Sequence, residues 1–120
     1  MTNAPTPPAA ATDDEIWPVL TDLHAERVRQ DERWGEQNHP DGTGGPGALD
    51  DLAVARETVE GNAARGAMTW RDILQEEVAE AFAESDPVRL REELVQVAAV
   101  AAGWVQAIDR RGHTGSGPAD

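Results

Sequence analysis

Five side chains in one stretch have the types and spacing to hold a hard cation. Glu76, Glu77 and Glu80 fall in E-E-V-A-E, and Glu93 with Gln96 repeats an i, i+3 spacing further on. Residues three apart are neighbours on one helix face. A helical wheel at 100° per residue puts Trp70, Ile73, Leu74, Val78 and Ala81 on one apolar face. Glu77 falls inside that face, Glu84 near it, Glu80 at its border and Glu76 further out. On the next helix Leu90, Leu94, Val97, Ala101, Trp104, Val105 and Ile108 form the apolar side. Glu93 points into its edge and Gln96 lies one turn on. A carboxylate on a core-facing stripe is costly unless it is paired or holds a metal. Three carboxylates and an amide oxygen make an all-oxygen site, which suits Mg²⁺ or Mn²⁺ rather than zinc. The competing reading is a solvated acidic face partnered by Arg71, Arg89 and Arg91.

The rest of the composition agrees with a cation-dependent site. The chain has 120 residues, with 23 acidic against 10 basic and a net charge of −13. Every basic residue is arginine. Such a field repels phosphate, which argues against nucleic acid and anionic membranes as partners. A protein of this charge that handles phosphates needs a cation between. The absence of cysteine excludes disulfides, zinc–thiolate sites and thiol nucleophiles. No apolar run approaches the ~20 residues of a membrane span, and no signal peptide opens the chain. A cytoplasmic protein is expected. No Ser–His–Asp arrangement, P-loop or GxGxxG occurs.

The elements that must position these residues read as all-α, because alternating strand patterns are nearly absent. A first helix is predicted from Glu15 or Pro18 to Arg33, with Ile16, Leu20, Leu23 and Val28 inward. A second covers Ala48 to Arg65, with Leu49, Leu52, Ala53 and Val59 inward and Gly66 as its stop. The third follows Thr69, where T-W-R-D places an acid three residues after a capping threonine, and ends near Ser85. The fourth has Asp86 as cap and Pro87 at its first position, and runs to Arg111 with Gly112 stopping it. The short Ser85–Asp86–Pro87 connection makes the last two helices antiparallel neighbours. The two pairs, Glu77 with Glu80 and Glu93 with Gln96, then face each other across a groove. One domain over residues 13–111 is expected, between disordered tails at 1–12 and 112–120. The run L-V-Q-V-A-A-V-A-A-G-W-V is apolar nearly all round. A helix like that is buried on every side, which calls for a second subunit.

Residues 34–47 form a long connection, and long loops in small domains are functional or disordered. Trp34 offers a stacking face; Gln37, Asn38 and His39 offer donors and acceptors to a base edge or phosphate. The bland reading of N-H-P-D-G is a turn. Gly42 to Gly47 reads as merely flexible. His24 reads as structural, on a polar line with Arg27 and Asp31, and His113 as part of the tail.

The stretch I-L-Q-E-E-V-A-E-A-F-A-E followed by R-E-E-L-V-Q-V-A-A-V-A-A resembles the MazG-like all-α nucleoside triphosphate pyrophosphohydrolases. Their pattern is E-E-x-x-E on one helix and E-x-x-D on the next. The match covers residues 69–111, and the four-helix layout extends it loosely along the chain. The resemblance implies a four-helix bundle that assembles as a homodimer or homotetramer. It implies Mg²⁺-dependent hydrolysis of a nucleoside triphosphate, often a deoxynucleotide, to the monophosphate and pyrophosphate. Glu77, Glu80 and Glu93 would be metal ligands. Glu76 would be a ligand or the residue that positions the attacking water. Arg71 or Arg89 would hold the outer phosphates. Gln96 stands where the family has Asp, which removes one negative charge. That departure opens a second expectation: a degenerate module that binds a nucleotide or a protein without turnover. A DNA-mimicking acidic decoy is a weaker third reading, since acids on buried faces count against it.

Overall fold

The computed structural model describes residues 13–115; the expected tail at 1–12 and residues 116–120 of the other lie outside them, while 112–115, expected as tail with His113, are the last turn of a helix. Among the described residues there are four helices and no strand: α1 (Asp13–Trp34), α2 (Pro46–Ala64), α3 (Trp70–Ala83) and α4 (Pro87–Gly115). The all-α expectation is met. The described residues divide into two compact units, one of residues 13–37 with 105–115, the other Asn38–Trp104.

In the first unit α1 begins a turn earlier than expected, so that Pro18 lies inside the helix. Val19 is its buried residue, whereas Leu20, Leu23 and Val28 are exposed. Arg110 of α4 reaches Glu15 at 3.4 Å. Along its outer face α1 is laced by Arg27–Asp31 and Arg29–Glu26 pairs at helical spacing. Both are exposed and contribute little stability each. α4 continues through Gly112 to Gly115, so the glycine does not end it. A glycine in a helix costs only about 1 kcal/mol against alanine, which the flanking turns absorb.

The second unit holds the acidic residues. Its α2–α3 hairpin is antiparallel: the Asn62 amide donates to Asp72 at 2.8 Å near the turn, while Leu52, Ala55, Ala79 and Ala83 pack together along it. Three of those four are alanine, so the helix backbones approach closely. Leu52 is buried as expected, but Leu49 and Ala53, also expected inward, are exposed; Ala55 is buried in their place because α3 lies on its side. Gly66, with φ +67°, follows the end of α2 in the left-handed conformation expected of a stop.

Both caps flanking α3 form as the sequence implies. Thr69 Oγ1 accepts from the Asp72 N–H, and the Asp72 carboxylate accepts from the Thr69 N–H, each at 3.1 Å. At α4 the Asp86 carboxylate accepts from the Arg89 N–H at 3.0 Å. Trp70 at the start of α3 stacks on Trp104, late in α4, with centroids 6.4 Å apart and planes 9° from parallel. A Cβ on Gly103 would come within 3.3 Å of the Trp70 ring, so the glycine makes room for it.

The glycine-rich half of the 34–47 connection is tied down rather than merely flexible. Gly44 N–H donates to the Phe82 carbonyl at 2.8 Å, and Thr43 Oγ1 to the Glu84 carbonyl at 2.6 Å. These donors satisfy carbonyls that the end of α3 leaves open. Gly44 sits at φ +81°, and a Cβ there would meet Ser85 Cβ at 2.9 Å.

Candidate metal site

The carboxylates sit on the middle helix of the second unit. Glu76, Glu77 and Glu80 are half-buried, and one oxygen from each lies within 4.8 Å of the others. α3 presents them on the side away from Gln75, Val78 and Phe82. Glu93, also half-buried, comes from the second turn of α4 and makes a side-chain hydrogen bond with Glu80. The pairing follows from the antiparallel run of α3 and α4: where Trp70 meets Trp104 at one end, Glu80 meets Glu93 at the other. Two carboxyl groups in hydrogen-bonding range cannot both stay ionised without a proton or a cation between them.

The environment is unfavourable to bare carboxylates. Glu77 Oε1 is buried and accepts no hydrogen bond. Burial, then the charges of Glu80, Glu93 and Glu76, push the Glu77 carboxyl above the usual range. Burial raises Glu93 too, helped by the charge and hydrogen bond of Glu80 and by Glu84 and Glu92. Among the described residues the arginine ion-paired with the cluster is Arg56 of α2, at 3.7 Å from Glu80 and half exposed. At that distance it is an electrostatic neighbour rather than a hydrogen-bonded partner. The donor set fits a hard divalent cation: only carboxylate oxygens, one buried without a donor, and net negative charge.

The other residues singled out from sequence are placed as follows. Gln96 is exposed on α4 and makes no hydrogen bond to the cluster. Trp34 is exposed at the end of α1, with the Arg33 guanidinium 4.9 Å from its ring centre. Gln37 lines an open recess of about 540 Å³ in the first unit, with Arg27, Asp31 and Glu36. Asn38 and His39 are exposed in the second unit. Arg71 borders a recess with Leu74, Val78 and Trp104, and Arg89 lies in the first turn of α4. Neither arginine is ion-paired with the carboxylates, and the same holds for Arg91. Arg56, which is, was not singled out from sequence. Its only signal is register, because an antiparallel hairpin closed at Asn62–Asp72 brings 56 level with 78, within a turn of Glu80. Compared with protein-family models, with curated proteins and with solved structures, the chain finds no match.

Proposed function

We propose that the chain is a metal-dependent nucleoside triphosphate pyrophosphohydrolase of MazG-like type, cleaving an NTP or dNTP to the monophosphate and pyrophosphate. The observation that carries the reading is the buried Glu77 Oε1, without a donor, inside a cluster of four glutamates from two helices. Glu77, Glu80 and Glu93, with Glu76 beside them, would hold Mg²⁺ or Mn²⁺. When bound, such an ion neutralises phosphate oxygens and acidifies water. The chain's own residues supply the rest. Glu76 orients a water on the α-phosphorus and accepts its proton. The water oxygen bonds to phosphorus as the bond to the pyrophosphate oxygen breaks, and the electron pair leaves with pyrophosphate. Arg56, alongside Glu80, would be the cation that meets the outer phosphates. Trp34, Gln37, Asn38 and His39 are the candidates for the base.

The same reading has the chain work in the cytoplasm as a homodimer or homotetramer. Among the described residues no helix is long and apolar enough to cross a membrane. Among the described residues no large side chain is fully buried, and α4 leaves Leu94, Val95, Val105 and Ile108 between 40% and 55% exposed. Self-association would cover such surface.

The test is pyrophosphate release from a panel of NTPs and dNTPs with Mg²⁺ or Mn²⁺. Turnover that Glu77→Gln or Glu80→Gln reduces by about 10²-fold or more supports the reading. No turnover of any nucleotide, with metal binding unchanged in both variants, overturns it. Gln96 favours a second reading, a nucleotide-binding module without turnover, because it puts a neutral, exposed amide where the family pattern has an acid. Calorimetry showing binding without hydrolysis, with activity gained in Gln96→Asp, would establish that one instead.

A further inference from the structure

The 34–47 connection holds the one place in the chain where glycine follows an aspartate or asparagine, at Asp41–Gly42. The peptide nitrogen after an aspartate can attack that residue's own side-chain carboxyl and close a five-membered ring. A side chain on the next residue shields the nitrogen, and regular structure ties it into a hydrogen bond. Neither protection applies here. Gly42 carries no Cβ, and nothing lies within 4 Å of where one would be. Asp41 and Gly42 are both exposed and belong to no helix. Among the described residues no backbone carbonyl accepts from the Gly42 N–H. The other aspartates are better guarded. Asp22, Asp31, Asp50, Asp51 and Asp109 lie within helices, so the N–H groups that follow them are committed to helical bonds. Asp86 is followed by Pro87, which has no N–H to give.

What comes next in the chain gives the ring a consequence. Thr43 Oγ1 donates to the Glu84 carbonyl and the Gly44 N–H to the Phe82 carbonyl. The main chain is thus fixed to the end of α3 from one residue beyond Gly42. Gly44 is held there at φ +81°, close against Ser85. That fit leaves no slack for a backbone that is lengthened and re-aimed two residues earlier.

We propose that Asp41–Gly42 is a site of spontaneous isoaspartate formation in the folded protein, and that isomerisation releases the Thr43–Gly44 attachment from α3. The Gly42 nitrogen gives up its proton and bonds to Asp41 Cγ, whose hydroxyl leaves as water. Water then returns to the ring. Addition at Cγ breaks the new bond and regenerates aspartate. Addition at the main-chain carbonyl carbon breaks its bond to nitrogen instead. The backbone then runs through Cβ and Cγ, one methylene longer, with a free carboxylate on Cα. Mass is unchanged and no co-reactant beyond water is needed. The inference uses neither metal nor nucleotide, so its failure is separable from failure of the enzymatic reading.

The test ages the full chain at neutral pH and body temperature for several weeks. Cleavage at arginine releases residues 34–56 as one peptide. That peptide is expected to split into two chromatographic peaks of equal mass. The new peak should accept a methyl group from S-adenosylmethionine when an isoaspartyl methyltransferase is added as the probe. Asp41→Glu, which would have to close a larger ring, is expected to stay a single unlabelled peak. It keeps the charge at an exposed position, so folding is not at issue. Gly42→Ala is expected to slow the new peak several-fold. In the repurified isomer the Gly44 amide is expected to exchange hydrogen faster than in the fresh chain. A folded chain that forms no new peak while the urea-unfolded chain does overturns the proposal. So does equal labelling in Asp41→Glu. An isomer that keeps full protection at Gly44 overturns the release from α3.

Discussion

Glu77 couples stability and function in opposite directions. Its carboxylate is half-buried, holds an oxygen without a donor and faces three other acids. In the metal-free protein that charge is a cost, and an amide of the same shape removes it while adding a donor toward Glu80. Glu77→Gln is expected to raise the metal-free melting temperature by a few degrees. It is also expected to lose the further rise that Mg²⁺ or Mn²⁺ gives the unaltered chain. A thermal melt with and without metal reads both at once, and a variant that melts lower in the absence of metal contradicts the account. The pH dependence has a sign of its own. Glu77 and Glu93 have folded pKa values above the ordinary 4.5. The folded state thus binds more protons than the unfolded one in the interval above 4.5, and their destabilisation fades as pH falls through the raised values. Asp72 goes the other way. The Asn62 amide and the Thr69 N–H hold it below 3.8, so its contribution persists above 3.8 and disappears as pH falls through its lowered value. Urea midpoints of the metal-free chain are therefore expected to be highest on the acid side, near the interval between the ordinary values of 3.8 and 4.5, and to fall towards neutrality. The peak should flatten in Glu77→Gln.

The start of α3, the start of α4 and the glycine stop after α2 were the most legible helix ends, because capping is local chemistry. The Thr69–Asp72 reciprocal cap can be read from four letters, and the Asp86–Pro87 start from two. Thr69→Ala is expected to cost about 1 kcal/mol in chemical denaturation. The gathering of the glutamates was legible for the same kind of reason. Glu77 on an apolar stripe is a wheel argument, and the short α3–α4 connection places Glu93 opposite Glu80. What escaped the sequence depends on contacts between distant segments. Nothing local says that Gly44 will donate to the end of α3, since G-T-G-G-P-G has the composition of a loose linker. Nothing local selects Arg56 over Arg71 or Arg89. The inward side of α2 was misread at Leu49 and Ala53 because its hydrophobic pattern is shallow, and packing on α3 decided it. The loop's attachment has a measurable consequence. Gly44 has a positive φ and Ser85 Cβ would lie 2.9 Å from an added Cβ. Gly44→Ala is expected to destabilise by more than about 1 kcal/mol. Gly47→Ala, with nothing within 4 Å of an added Cβ, should be near neutral. Equal melting temperatures for the two variants would mean that the loop is not held.

At the scale of the whole molecule, the excess of acid acts in two ways that salt and magnesium separate. A net charge of −13 on 120 residues opposes compaction through general repulsion. Monovalent salt screens that repulsion, since the Debye length falls to about 8 Å at physiological ionic strength. Raising NaCl is therefore expected to raise the melting temperature and then to level off. The local repulsion among Glu76, Glu77, Glu80 and Glu93 is different. These groups lie closer together than a Debye length and are half-buried, so diffuse ions screen them poorly. A cation bound among them stabilises by mass action instead, by about 2.7 kcal/mol at a hundred times its dissociation constant. Titrating MgCl₂ against NaCl at matched ionic strength is expected to give an additional rise for Mg²⁺. The increment should saturate, be matched by Mn²⁺ and vanish in Glu77→Gln and Glu80→Gln. Superimposed NaCl and MgCl₂ curves would reduce the four glutamates to ordinary acidic surface and remove the basis of the metal site. An increment that survives both substitutions would locate the ion elsewhere among the acids.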